Sequence, residues 1–461
     1  MHFHRAHREM DMTRGPLLPQ ILLFSLPLML SSILQLLFNA ADVIVVGRFA
    51  ADGVAAQAAV GSTSALINMI VNLFLGLSIG ANVVIARAFG ANDYKGMSDA
   101  VHTAILASLI SGVVLAVFGF FMSETFLIWM DTTEEALPLA TLYMKIYFIG
   151  MPVNMLYNFG AAVLRAIGDT RRPLIYLTLA GIINVVLNLF FVIVFHMDVA
   201  GVALATIISQ AVSAILVLIC LCRSEGAIRV NLKRLHINRK QIVEIARIGL
   251  PAGIQGVFFS LSNVMIQSTV NSFGTIKVAG NTVSSNIEGF IYNAMNAVYQ
   301  AAITFTSQNV GARMYARVRR VCLTCLMTVT AVGVLLGGVA LLFKDFFMGI
   351  YNNNPEVIAA GETRLWIIAT TYFTCGIMDV LCGALRGLGS TVLPMIVSLA
   401  GACAFRILWI WFVMPLDWSL DTLYISYPIS WVLTASVHAI CYVIRLRKFP
   451  VSAGNDALKS A

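Results

Sequence analysis

Windows of about twenty apolar residues, the length that crosses a hydrocarbon layer as a helix, recur along this 461-residue chain and leave room for little else. They fall near 20 to 46, 54 to 83, 100 to 122, 136 to 163, 173 to 195, 200 to 222, 242 to 271, 278 to 306, 321 to 343, 357 to 384, 392 to 414 and 424 to 444. The connections are short, the longest being the basic stretch 223 to 241, so no soluble catalytic or nucleotide-binding domain fits between them. Only 11% of the residues are charged, against about a quarter in soluble domains. The chain therefore reads as an all-α integral membrane protein with twelve transmembrane helices. Any energy it uses comes from an ion gradient, or from ATP hydrolysed by another chain.

The formal charge of +8 is a matter of topology. Most lysines and arginines lie in the tail 1 to 16, in the loops after predicted helices 2, 4, 6, 8 and 10, and in the tail 446 to 461. Loop 123 to 135 carries Glu124, Asp131, Glu134 and Glu135 and no positive residue. This is the positive-inside pattern with both termini cytoplasmic in a cell inner (plasma) membrane, and it explains the basic balance without a nucleic-acid partner. The apolar run after the basic N-terminus is too long for a signal peptide, so that tail is expected to be retained. The eight cysteines lie in or beside apolar segments, and the Cys322/Cys325 pair has no second ligand pair; no cofactor or metal is expected.

The chain also repeats itself. Leu164 to Pro173 reads LRAIGDTRRP and Leu385 to Pro394 reads LRGLGSTVLP, so Leu, Arg, Gly, Thr and Pro coincide at an offset of 221. FGANDY at 89 to 94 and VGARMY at 310 to 315 match at the same offset, while upstream Pro27 pairs with Pro251 and Asn39 with Asn263 at 224. Six helices per half is an even number, so both halves enter from the same side. The expected fold is two six-helix bundles related by a pseudo-twofold axis along the membrane normal. The expected division is an N-lobe at 17 to 222, a cytoplasmic linker at 223 to 241 and a C-lobe at 242 to 445. A small-molecule site near mid-membrane is the default for such repeats, and Pro27, Pro251, Gly249, Gly253 and Gly256 are candidate bend points.

Three carboxylates stand out inside the spans: Asp42, Glu288 and Asp379. An ionised acid at mid-bilayer costs at least about 2.5 to 3.5 kcal/mol, so it must be compensated or bind a proton. Ser31, Gln35, Asn39 and Asp42 follow at helical steps of four, four and three and form one polar stripe. Asn281, Ser285, Glu288, Tyr292, Asn296 and Tyr299 form another, where an acid flanked by tyrosines suits a lipophilic cation. Asn154 with Asn158 and Asn184 with Asn188 share helix faces. Arg165 and Arg386 end their helices and suit a structural or gating role, and Arg406 has no evident partner.

At FNAAD in helix 1, ARAFGAND after helix 2, SQNVGAR after helix 8 and the LR-x-x-G turns ending helices 4 and 10, the chain resembles the bacterial multidrug and toxic compound extrusion (MATE) transporters. The resemblance runs from about Pro16 to Phe449. It implies a V-shaped pair of bundles, acting as a monomer, that expels organic, often cationic, compounds in exchange for protons or sodium ions. Asp42 resembles the helix 1 aspartate tied to proton coupling in one branch, and the four asparagines resemble the polar pocket around it. That branch often has an acid where this chain has Asn188, and the sodium-coupled branch has an acid near Phe258 to Ser260 where this chain has none. Proton coupling is accordingly expected over sodium coupling, with Asp42, Glu288 and Asp379 as coupling candidates. Gln35, Asn39, Asn154, Asn158, Asn184, Asn188, Asn263, Tyr292 and Tyr299 are the substrate candidates. A flippase of lipid-linked saccharides would need a cationic cavity, which Arg406 and Lys145 alone do not make. A membrane enzyme would need a motif such as HExxH, or clustered aspartates for metal-diphosphate chemistry, and neither occurs.

Overall fold

The computed structural model describes residues 10–49, 53–130, 132 and 135–449. The tail ends, and Asp131 and Glu134 of the acidic loop, lie outside the described residues. Helices dominate: α1 (Leu17–Phe49), α2 (Gly53–Gly90), α3 (Tyr94–Trp129), α4 (Leu137–Ile149), α5 (Met151–Ala166), α6 (Arg171–Leu189), α7 (Asp198–Arg223) and α8 (Arg239–Asn271). They continue as α9 (Thr275–Gly311), α10 (Tyr315–Leu342), the short α11 (Lys344–Tyr351), α12 (Pro355–Gly387), α13 (Val392–Ser398), α14 (Phe405–Phe412) and α15 (Leu420–Leu446). Among the described residues ten helical stretches are long and apolar enough to cross a membrane, and α4 with α5 make an eleventh, bent by 50°. The bend falls at Gly150–Pro152, where proline removes a backbone donor and breaks the ladder. The twelfth expected span, α9, is less apolar because it carries the Glu288 stripe. Protein covers much of that stripe: Asn281, Glu288 and Tyr299 are all buried. The acidic loop is also shorter than expected, since α3 runs through Glu124 to Trp129.

The matched motifs share backbone geometry. Gly168 and Gly389 adopt φ of 88° and 84°, and Asn92 and Arg313 adopt 54° and 58°. These are left-handed conformations that glycine enters without steric penalty and asparagine tolerates, at paired positions of the repeat. The SQNVGAR motif has a further task, because Gln308 Oε1 accepts from the Met12 amide at 3.2 Å and Asn309 donates to the Met12 carbonyl at 3.1 Å.

The chain forms two compact units, whose limits differ from those of the expected lobes. One comprises Leu30–Gly253 with Met10, the other Asp11–Met29 with the chain from Ile254 onward. Thus α1 and α8 each change unit two or three residues beyond a proline, Pro27 and Pro251. Short-range packing accounts for this. In the first unit Gly76 and Gly80 of α2 meet Gly249, Gly253 and the Ile245 carbonyl of α8 so closely that a Cβ would overlap backbone atoms, a small-xxx-small seam of the kind that joins membrane helices. The stretch 223 to 241 is no free linker either. Asn238 donates to Asp99 Oδ2 at 3.0 Å and its amide to Thr103 Oγ1 at 3.0 Å, while His102 Nε2 accepts from the Asn231 amide at 3.1 Å. In the second unit, Phe24 of α1 packs edge-on against Phe305 of α9. There α12 is the central helix, packed on α9, α10 and α15.

Candidate functional site

In the first unit, Gly181 of α6 leaves room for the Phe38 ring of α1, which brings α6 onto α1 one helical turn before Asp42. Asn184 and Asn188, one turn apart on α6, and Thr206 on α7 then surround the carboxyl group. Asn188 donates to Asp42 Oδ1 and to Asn184 Oδ1, the latter at 3.2 Å. Asn184 donates to Thr206 Oγ1 at 3.3 Å, and Thr206 reaches Asp42 Oδ2 at 3.5 Å. Tyr143 and Tyr147 of α4, stacked with centroids 6.1 Å apart, lie in electrostatic range of Asp42. Among the described residues no Lys, Arg or His pairs with Asp42, which is 8% exposed. A π turn, Phe190–Val194, begins two residues after Asn188, the kind of helix irregularity that recurs at functional sites.

The rest of the expected first-half site does not join this cluster. Asn158 donates to Asn154 Oδ1 at 3.0 Å, so those two amides pair with each other and not with Asp42. Gln35 and Asn39 are exposed on α1. Their angle on the wheel agrees with Asp42, but their side chains are left exposed while Asp42 is covered.

The second unit holds a different arrangement. Arg364 of α12 grips Glu288 of α9 with two hydrogen bonds, Nε to Oε1 at 2.9 Å and Nη2 to Oε2 at 2.7 Å. Its Nη1 donates to Asn281 Oδ1 at 2.8 Å, which also accepts from the Tyr424 hydroxyl at 3.1 Å, and Ser284 adds a bond to Glu288 at 3.0 Å. The expectation that Glu288 offers its charge to a cation is therefore corrected: a buried bidentate partner already neutralises it. The missed residue is Arg364, which was legible as an arginine inside the window 357 to 384.

Asp379 is half-buried, its carboxyl group has no hydrogen-bond partner among the described residues, and it lies in electrostatic range of Arg386, Tyr292 and Tyr299. Arg386 stands in the last turn of α12, as expected, and is buried; it donates to the Tyr299 hydroxyl and to Gln255 Oε1, the latter at 2.8 Å. Tyr292 is exposed and stacks on Tyr372, and Asn263 is exposed on α8. The partners of Arg406 are the Tyr427 ring, 4.1 Å from its guanidinium carbon, and Ser430 Oγ at 3.0 Å from Nε.

A multi-span helical protein built from two repeated units, with a buried acid in the first and an arginine network in the second, belongs to the class of repeat-built membrane transporters. Residues 27–190 and 251–412 both match the MatE family model, and the chain belongs to this family, the MATE transporters. It is 29% identical over 396 residues to the probable multidrug resistance protein YpnP of Bacillus subtilis, covering 86% of this chain and 88% of that one. It is 26% identical over 390 residues to the probable multidrug resistance protein NorM of Thermotoga maritima, covering 82% of each. The solved outward-facing structure of a multidrug resistance MATE family transporter of the MOP superfamily has the same fold, with a TM-score of 0.88, 21% identity and coverage of 97% of this chain and 99% of that one.

Proposed function

We propose that this chain exports organic compounds in exchange for protons, with Asp42 as the residue that binds and releases the proton. One observation carries the reading: Asp42 is a buried carboxylate held by neutral donors alone, Asn188 and Thr206. Amide and hydroxyl partners tolerate either protonation state, because Thr206 can donate or accept and Asn188 offers both functions. Glu288 has no such freedom while Arg364 holds both its oxygens. The donors aimed at Asp42 favour a proton over a sodium ion, which would need ligand oxygens turned inward. The multidrug resistance names of the relatives support organic compounds as cargo, and the basic loops support cytoplasmic termini.

Each unit of transmembrane pH difference contributes about 1.4 kcal/mol per proton, enough for roughly a tenfold substrate gradient at one-for-one exchange. The test is transport of a panel of organic compounds in proteoliposomes under an imposed pH or sodium gradient. Wild-type protein is expected to concentrate substrate under the pH gradient, and Asp42→Asn to bind it without concentrating it. Uptake driven by sodium and indifferent to pH would overturn the proton assignment.

A further inference from the structure

The second unit contains a cation that no carboxylate among the described residues neutralises. Arg406 is 4% exposed, yet no carboxylate pairs with it among the described residues, and its Nη2 is buried without an acceptor. Its guanidinium faces two rings, Tyr427 at 4.1 Å and Trp431 at 5.6 Å. Ring faces offset part of the desolvation of a cation, but they supply no acceptor for an N–H. An unpaired intramembrane charge points to function by default. Glu288 takes Arg364, and Arg386, whose Nε is also without an acceptor, still gives both terminal nitrogens to Tyr299 and Gln255 and has Asp379 in electrostatic range, whereas Arg406 has a single side-chain acceptor, Ser430.

Two further observations indicate a ligand. The rings around Arg406 continue as a ladder: Tyr427 meets Trp431 at 5.7 Å, Trp431 stacks on Tyr372 at 5.3 Å, and Tyr372 stacks on Tyr292 at 6.4 Å. Tyr292, at the far end, is 37% exposed, so the ladder runs from an accessible ring to the orphan guanidinium. The second observation is a π turn, Leu399–Ala404, just before Arg406. Pro173 and Pro394 pair at an offset of 221 at the start of this helix in the two halves. A π turn, closed by i→i+5 bonds, absorbs one more residue, which sets Arg406 opposite Asn184 of the Asp42 cluster. The repeat partner of Asp42 itself is the apolar Ile266. The same helix position thus serves an acid in one unit and carries a cation in the other.

We propose that Arg406 and the Tyr372/Trp431/Tyr427 rings form a binding site for an aromatic oxyanion, a carboxylate or phosphate joined to a planar ring. The guanidinium pairs with the anionic group through Nη2, and the ring inserts along the aromatic ladder. This rests on the transporter reading above and names the chemical class of one of its cargoes.

The test is equilibrium binding to the full chain in detergent or nanodiscs, read by quenching of tryptophan fluorescence. The probes are 1-naphthoate, 1-naphthyl phosphate and the cation 1-naphthylmethylammonium. Wild-type protein should bind at least one anion about tenfold or more tightly than the cation, and which anion binds better identifies the headgroup. Arg406→Gln should weaken the anion by about tenfold or more and leave the cation unchanged, the loss expected when a charged hydrogen bond is removed. Arg406→Lys should retain part of the anion affinity. Asp42→Asn should bind the anion as wild type does, so a failure of proton coupling and a failure of this site read out separately. Preference of the wild type for the cation, or unchanged anion binding in folded Arg406→Gln, overturns the proposal. If Arg406→Gln does not fold, the wild-type preference and the Lys variant decide it.

Discussion

Removing the carboxylate of Glu288 should unfold the second unit more readily than any loss of packing volume explains. In Glu288→Gln the side chain keeps its size, but Arg364 loses its counter-charge while remaining buried beneath Tyr424 and Tyr427. Breaking a buried ion pair from one side costs about 3 to 5 kcal/mol, because the remaining charge is stranded, whereas replacing both partners by apolar residues is often near neutral. An ordinary interhelical hydrogen bond in a membrane averages only about 0.6 kcal/mol. Glu288→Gln and Arg364→Met should therefore each destabilise strongly, and the double variant Glu288→Met/Arg364→Met should recover most of the loss. Unfolding of the four proteins in mixed micelles, followed by circular dichroism as a double-mutant cycle, measures this coupling. Additive losses, with the double variant as unstable as both singles combined, would refute the ion-pair account.

Three other outcomes follow. Gly280→Ala should lose about 1 to 3 kcal/mol of stability, because its Cβ would stand 2.6 Å from the Gly361 nitrogen, while Gly289→Ala on the same helix, with nothing within 4 Å, should be neutral or stabilising in the same melts. In a cysteine-depleted chain, Glu135→Cys should react with an impermeant maleimide in intact cells and Gly226→Cys only after permeabilisation; the reverse would invert the topology. His236, whose ring nitrogens meet the Arg234 carbonyl and the Asp99 carboxylate, is held above its ordinary value of 6.5 by those bonds. Its tether is fully present below that value and is lost as pH rises through the raised one, so trypsin should cut at Lys233 and Arg234 faster at high pH, relative to Asp99→Asn, and equal pH profiles would show that the pair does not hold the segment. His236 is half-exposed, so solvent screening holds the effect to at most about 1 kcal/mol.

Span positions were legible in the sequence because apolar length is a local property, and the repeat was legible because Gly168 and Gly389 answer the same backbone demand. The unit boundaries were not, since they depend on Gly76 and Gly80 meeting Gly249 and Gly253, a contact between distant segments. The Asp42 cluster was half legible. A helical wheel put Gln35, Asn39 and Asp42 on one face, but it carries no information about which depth a neighbouring helix covers, and Thr206 gave no signal. The reading of Glu288 as a free acid failed for a comparable reason: Arg364 was visible in its window, but only the packing of α12 on α9 brings the guanidinium to the carboxylate.

The central claim, that Asp42 carries the proton exchanged for substrate, is tested most directly by counting protons. Proteoliposomes loaded with a pH-sensitive dye and given a pulse of transported substrate report both fluxes together. The account predicts a fixed proton-to-substrate ratio in wild-type protein and none in Asp42→Asn, with Glu288→Met/Arg364→Met retaining the wild-type ratio. An unchanged ratio in Asp42→Asn would contradict it.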